Sequence, residues 1–189
     1  MEHIDEQILE SRKVLKRQKY TSLESGIYAG EELITFAQLT LPDSEISIFI
    51  PDQFILMPDQ IKNMKYPSKD APDIVLTSID SVINIGFNVL PIQINEGDTK
   101  AMSLQFQDAL KNVNPSIKIK NAEELVTEKG YEVNRFEFKG YVLDGQIYNQ
   151  MYMIKLKKTV LHSIFNCPMN VKENWVNIIE KCFMSIEKK

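Results

Sequence analysis

The sequence has few of the residues from which metal centres and nucleophilic active sites are built. It has two cysteines, Cys167 and Cys182, and two histidines, His3 and His162. Two histidines exclude a multi-histidine metal site, and the cysteines lack the C-x-x-C spacing of zinc and redox motifs. In a reducing compartment, two scattered cysteines are typical of packed thiols rather than of a disulfide.

Motifs that bind phosphates or carry hydrolytic chemistry are also missing. The chain contains no G-x-x-x-x-G-K-[ST], G-x-G-x-x-G, H-E-x-x-H or G-x-S-x-G, which are the signatures of nucleotide sites, zinc proteases and serine hydrolases. An acid-based site made only of carboxylates has no sequence signature and stays as an alternative. We therefore expect no catalytic residue, no cofactor and no metal.

A strong charge of one sign and long apolar runs are absent as well. Twenty-two basic and 26 acidic residues give a net charge of −4, too small to indicate a nucleic-acid partner. The first 20 residues lack the apolar run of a signal peptide, and no later run reaches membrane-spanning length. The sequence thus predicts a cytoplasmic protein without a membrane span.

The composition is that of a soluble globular protein, with 43% hydrophobic and 25% charged residues. We expect residues 1–30 to form a charged helix and a linker, and residues 31–189 to form a single α+β domain. The helix has a thin apolar stripe at Ile4, Ile8 and Leu15. Its late basic residues complement the helix dipole, and the alternative is a docking site for an acidic partner; they are Arg12, Lys13, Lys16, Arg17 and Lys19.

Alternating and helical patterns give the order of elements in the domain. Two strands flank the turn PDSE at 42–45, a short helix begins at Pro58, and two strands lie within 74–90. A helix follows over 97–114, capped by Asp98 or Thr99. At least three more strands and a final helix complete the order, which favours a central antiparallel sheet flanked by helices.

Asp144-Gly145 between two alternating runs is a strong hairpin signal. It pairs Phe136 with Met153 and places both on the side that we interpret as the core. The opposite side carries polar residues and three tyrosines, Tyr141, Tyr148 and Tyr152. Tyrosines beside charged groups offer contact area with hydrogen-bonding tips, so these three are candidate partner-binding residues. The alternative is that a helix covers this face.

Residues 162–183 bring His162, both cysteines and Trp175 into one stretch. His162 and Cys167 are five residues apart, so a regular strand places them on opposite faces. A two-residue loop at Lys157-Lys158 puts His162 beside Met153 on the core side, and a three-residue loop puts it among the tyrosines. Asn170 and Glu173 predict the start of the last helix. Its apolar stripe is Val171, Trp175, Ile178, Ile179, Cys182 and Ile186.

Four segments together resemble the Mog1/PsbP-like family: ISIFIPDQF, FEFKGYVLDGQIYNQMYMIKL, VLHSIFNCP and ENWVNIIEKCFMSI. The resemblance covers residues 35–187 and implies an α/β/α sandwich that serves as a non-catalytic binding scaffold. Plant members look like extrinsic photosystem II subunits, fungal members bind a Ran-type GTPase, and many bacterial members have no assigned role. We expect a bacterial member of unassigned role, and no residue-level binding motif carries over.

The resulting functional hypothesis is a protein-interaction module or scaffold whose partner is another protein. The sequence specifies neither that partner nor the oligomeric state. The alternative is a carrier of a small apolar or lipid-like ligand between sheet and helix, because the eight methionines would give adaptable walls.

Overall fold

The computed structural model describes residues 2–42, 44, 46–68, 71–142 and 145–188. The helices are α1 (Glu2–Arg17), α2 (Asp59–Lys65), α3 (Asp98–Val113) and α4 (Lys172–Met184). The first six strands are β1 (Thr21–Ser22), β2 (Gly26–Ala29), β3 (Glu32–Ile34), β4 (Phe36–Thr40), β5 (Ile46–Pro51) and β6 (Ile55–Leu56). The others are β7 (Ile74–Thr77), β8 (Asn84–Leu90), β9 (Ile119–Val126), β10 (Glu132–Val142), β11 (Gly145–Lys155), β12 (Val160–Pro168) and β13 (Glu187–Lys188).

Seven strands form the central sheet in the order β6-β7-β8-β12-β11-β10-β9, and every neighbouring pair is antiparallel. Helix α3 packs on one face of this sheet through Met102, Phe106 and Leu110. Helix α4 and strand β5 share a core with the other face. The predicted α+β fold, with a central antiparallel sheet flanked by helices, is confirmed.

Two smaller sheets accompany the central one. Strands β4 and β5 form the predicted hairpin and are joined by β13; Asp43 and Glu45 of the predicted turn lie outside the described residues. Strands β1, β2 and β3 form a second sheet, in which Ile34 is fully buried. Residues 26–29, which the sequence predicts to lie in a linker, form β2, and Ile27 and Ala29 of this strand pack against the core.

Both faces of the central sheet are buried. The face with Phe136, Met151 and Met153, interpreted from sequence as the core side, forms the smaller cluster beneath α3. The larger cluster lies on the tyrosine face, where Tyr152 and Phe165 pack with α4. The sequence interpretation of a single core side is therefore corrected: a sheet between two helical layers has two core sides.

The β10–β11 register differs from the predicted one by two residues. Phe136 pairs with Met151 rather than Met153, and Val142 pairs with Gly145. Residues 143 and 144 lie outside the described residues, and residue 144 is Asp144 of the predicted Asp-Gly turn. Because side chains alternate with a period of two, a shift of two residues changes each cross-strand partner and leaves every side chain on its predicted face.

The apolar stripe of α4 is confirmed by its buried residues. Helix α3 differs, because its buried residues are polar: Thr99, Ser103 and Gln107. The predicted caps of both helices are wrong. Gly97, with φ of +84°, precedes α3, and the Asp98 carboxylate instead accepts a hydrogen bond from the Asn95 backbone N–H at 2.8 Å. Helix α4 begins at Lys172 after a 3-10 turn at Met169–Val171, without a side-chain cap from Asn170. Trp175 packs on Phe54, with ring centroids 5.7 Å apart.

Candidate functional site

The structure separates the three candidate tyrosines. Tyr148 and Tyr152 are buried beneath α4, and the Tyr152 ring stacks on Phe183 with centroids 3.9 Å apart. Tyr141, the second-last residue of β10, is 66% exposed. Helix α4 thus covers this face, as the alternative interpretation of the sequence expects. Of the three tyrosines, only Tyr141 has substantial surface that a partner could contact in the folded chain.

Arg135 lies opposite Tyr152 on the covered face. Its Nη1 donates a hydrogen bond to Oε2 of Glu180 at 2.5 Å, and its Nη2 donates to Glu123. The Arg135 side chain is only 7% exposed, whereas Glu180 is 36% and Glu123 45% exposed. These three residues, the Arg135 cluster, connect the edge strand β9 with α4 across β10.

The guanidinium remains charged despite its burial. Desolvation by itself would lower the pKa of Arg135, but Tyr152 and the two carboxylates outweigh it and raise that pKa. A buried charge becomes costly when its partners are removed, so both contacts matter for keeping the guanidinium buried. The Arg135 cluster joins α4 to the sheet through these contacts.

Glu137 and Tyr148 form a second polar pair beside the Arg135 cluster. Glu137 is buried and accepts a hydrogen bond from Nδ2 of Asn121 at 3.0 Å, and Nζ of Lys172 lies 3.8 Å from its carboxylate. Lys172 also lies over the Tyr148 ring, 4.6 Å from its centroid. Burial and the neighbouring Glu137 raise the pKa of Tyr148, so its hydroxyl stays neutral at physiological pH.

Sequence reasoning placed Arg135 and Glu137 on this face and missed the acidic and basic groups that meet them. No pattern in the sequence singles out Glu123, Glu180 or Lys172 as partners of this face. Their approach depends on how α4 crosses the sheet, since the contacts join residues up to 45 positions apart. The local signal is the alternation of charged and aromatic residues from Arg135 to Lys139.

His162 lies beside Met153, as predicted for a two-residue Lys157-Lys158 loop. Its ring packs on Phe106 of α3 with centroids 4.5 Å apart. The Asp73 backbone N–H donates to Oδ1 of Asn88, which leaves Nδ2 of Asn88 to donate to Nδ1 of His162 at 3.4 Å. Burial lowers the pKa of His162 to about 4. The imidazole is therefore neutral at physiological pH.

The two cysteines are free and buried. Cys167 lies opposite Tyr148, on the face of β12 that His162 does not share, which confirms the parity argument. Burial raises the pKa of both Cys167 and Cys182 to about 12. Because the thiolate is the reactive form of cysteine, neither thiol is poised for nucleophilic chemistry at neutral pH.

The carrier hypothesis places a ligand between sheet and helix. Core side chains occupy both of these interfaces, among them Phe106 of α3 and Phe183 of α4. Two depressions in the described residues lie elsewhere and are open grooves along α1. Among the described residues, no three His, Cys, Asp or Glu side chains converge to hold a metal ion.

Helix α1 differs from the other long helices because it packs on little else. Every residue from 5 to 16 is exposed. Its apolar side chains, Ile8, Leu9, Val14 and Leu15, are between 46% and 61% exposed. Arg17 joins the end of α1 to the body, since its Nη2 donates to the Gly30 carbonyl at 2.9 Å and to Oε1 of Glu31 at 2.7 Å. No helix in the described part of the chain is long and apolar enough to cross a membrane.

No protein-family model matches the chain, and no curated protein matches its sequence. Solved structures do match its architecture. The solution structure of cyanobacterial PsbP (CyanoP) from Synechocystis sp. PCC 6803 has a TM-score of 0.62, covering 85% of this chain and 96% of that chain at 12% identity. The fold is Mog1/PsbP-like.

A second structure of similar fold is LpqN, involved in cell envelope biogenesis of Mycobacterium tuberculosis. Its TM-score is 0.50 at 12% identity, covering 81% of this chain and 90% of that chain. Identities this low establish the Mog1/PsbP-like fold alone, and the roles of these proteins are not transferred by it. The fold predicted from the four sequence segments is confirmed, and a bacterial origin stays a prediction.

Proposed function

We propose that the protein is a non-catalytic module that binds another protein, with α1 as its main binding surface. The observation that carries the proposal is the exposed apolar stripe of α1, rimmed by charged residues. Clustered apolar side chains with a polar rim are typical of interaction surfaces. An amphipathic helix that lays its apolar side against a partner is a recurring mode of protein recognition.

The stability of α1 supports the same proposal. Most of the stability of a helix in a protein comes from packing of its apolar side rather than from the intrinsic helix propensity of its residues. The 16 residues of α1 contact the body chiefly through Arg17 at the helix end. A partner that covers the apolar stripe would supply the packing that the other described residues do not provide.

Further observations support the non-catalytic role and the location. The groups with the strongest potential for nucleophilic or acid-base work, the two thiols and the His162 ring, are packed in the core with pKa values that keep them neutral. Two free thiols fit a reducing compartment and support a cytoplasmic location, which we propose and which cell fractionation tests. Tyr141 stays a candidate contact because it is exposed.

Affinity purification of the tagged full chain from its native cell tests the proposal. The variant Ile8→Asp/Leu15→Asp adds two charges to the apolar stripe, and we expect it to lose the proteins captured by the wild type. Val113→Asp is the matched control, because Val113 is an exposed apolar residue at the end of another helix, α3. Equal capture by all three forms, or capture of no protein by the wild type, would contradict a role for α1 in binding.

A further inference from the structure

We infer that the partner bound by α1 is a second copy of α1, lying antiparallel against the first. This inference rests on the proposed function and names its partner. The charge along the helix changes sign near its middle. The acidic residues come first, at Glu2, Asp5, Glu6 and Glu10, and the basic residues follow, at Arg12, Lys13, Lys16, Arg17 and Lys19.

This arrangement is self-complementary in only one direction. Two parallel copies would oppose acid to acid and base to base. Two antiparallel copies bring the acidic half of each helix beside the basic half of the other. An antiparallel pair has the two-fold symmetry of most homodimers, in which the same surface serves both partners. Complementary charge of this kind sets the orientation of a pair, and the apolar contact supplies the affinity.

The apolar residues provide the seam of the pair. Ile8, Ser11 and Leu15 recur at spacings of three and four, so they lie along one side of the helix, and Val14 borders it. When Ile8 of each copy packs against the small Ser11 of the other, Asp5 of each copy lies beside Arg12 of the other. A single alignment of the two helices therefore forms both the apolar contacts and the flanking charge pairs. The two-fold symmetry of the pair makes each of these contacts occur twice.

The same charge pattern disfavours a lipid surface as the occupant. Amphipathic helices that bind anionic membranes carry Lys and Arg along the polar side. Helix α1 and the following two residues hold four acidic and five basic groups, so half of the helix would be repelled by an anionic surface.

The interface between two copies of α1 is small, and we expect a dissociation constant of roughly 10–100 µM for the dimer.

Sedimentation equilibrium of the purified full chain, from about 10 µM to 1 mM, measures this self-association. We expect the wild type to form a dimer in this range. Asp5→Arg and Arg12→Asp each place like charges at both flanking positions. Each should raise the dissociation constant of the dimer about tenfold or more. An equimolar mixture of these two variants restores opposite charges at both positions and should dimerise like the wild type.

Two further variants separate the seam from general effects of substitution. Lys13→Glu reverses a charge on the side of α1 away from the seam and should keep the dimer, whereas Ile8→Asp should abolish it. A wild type that stays monomeric to the highest concentration would overturn the inference. So would single variants as dimeric as the wild type, or a mixture of Asp5→Arg and Arg12→Asp that does not associate.

The two proposals fail in distinguishable ways. A monomeric wild type together with α1-dependent capture of a different protein in the native cell overturns self-association and supports the proposed function. A monomeric wild type together with no α1-dependent capture overturns both. A dimer that responds to the charge variants as expected supports both, and the protein captured in the native cell is then the untagged chain itself.

Discussion

Replacing Glu123 and Glu180 together by methionine is expected to lower the free energy of unfolding by about 3–5 kcal/mol. Both carboxylates accept hydrogen bonds from Arg135, whose side chain is only 7% exposed. Methionine keeps the length of each side chain and removes the acceptor, so the guanidinium is left buried and unpaired. Urea unfolding, followed by circular dichroism, measures the loss.

The chain offers a matched control and a rescue for this prediction. Glu124 and Glu173 are exposed acids on the same two elements, so Glu124→Met/Glu173→Met should cost less than about 1 kcal/mol. Adding Arg135→Met to Glu123→Met/Glu180→Met removes the unpaired charge and should recover at least half of the loss. If the pair that contacts Arg135 costs no more than the control pair, the Arg135 cluster does not hold α4 as described.

Acid is expected to destabilise the protein through His162 before most carboxylates titrate. Burial lowers the pKa of His162 to about 4, against an ordinary value of 6.5. Below pH 6.5 the His162 side chain becomes protonated in the unfolded chain but stays neutral in the folded chain. The free energy of unfolding therefore falls as the pH falls from 6.5 towards 4. The loss from this group is about 2 kcal/mol between pH 7 and pH 5.

Urea unfolding at pH 7, 6 and 5 measures that slope. His162→Phe keeps an aromatic ring against Phe106 and removes the titrating group, so we expect its stability to change little over this range. His3→Gln removes the other histidine and should keep the wild-type slope. An unchanged slope in His162→Phe would show that the acid sensitivity has another source.

The spacing of residues along the sequence predicted much of the fold, because the faces of a strand or a helix are set by residues close together in the sequence. The odd spacing of His162 and Cys167 is sufficient to place them on opposite faces of β12, and the structure has them there. The apolar spacing of Ile178, Ile179 and Cys182 likewise specifies the buried side of α4. Both patterns depend only on residues close together in the sequence.

The candidate surface could not be predicted in the same way. A tyrosine has an apolar ring and a polar tip, so Tyr148 and Tyr152 suit either an exposed surface or a buried polar layer. What decides between them is the position of α4, which depends on long-range contacts such as that between Arg135 and Glu180. The β10–β11 register was also wrong, because an Asp-Gly signal does not specify which two residues form the turn.

The central claim is that α1 binds a protein, and photo-crosslinking in the native cell tests it most directly. A benzophenone amino acid is placed at Leu15, on the exposed stripe of α1, and in a second protein at Val113, exposed on α3. We predict a discrete crosslinked product from position 15 and none from position 113. No product from position 15, or equal products from both positions, would contradict the claim.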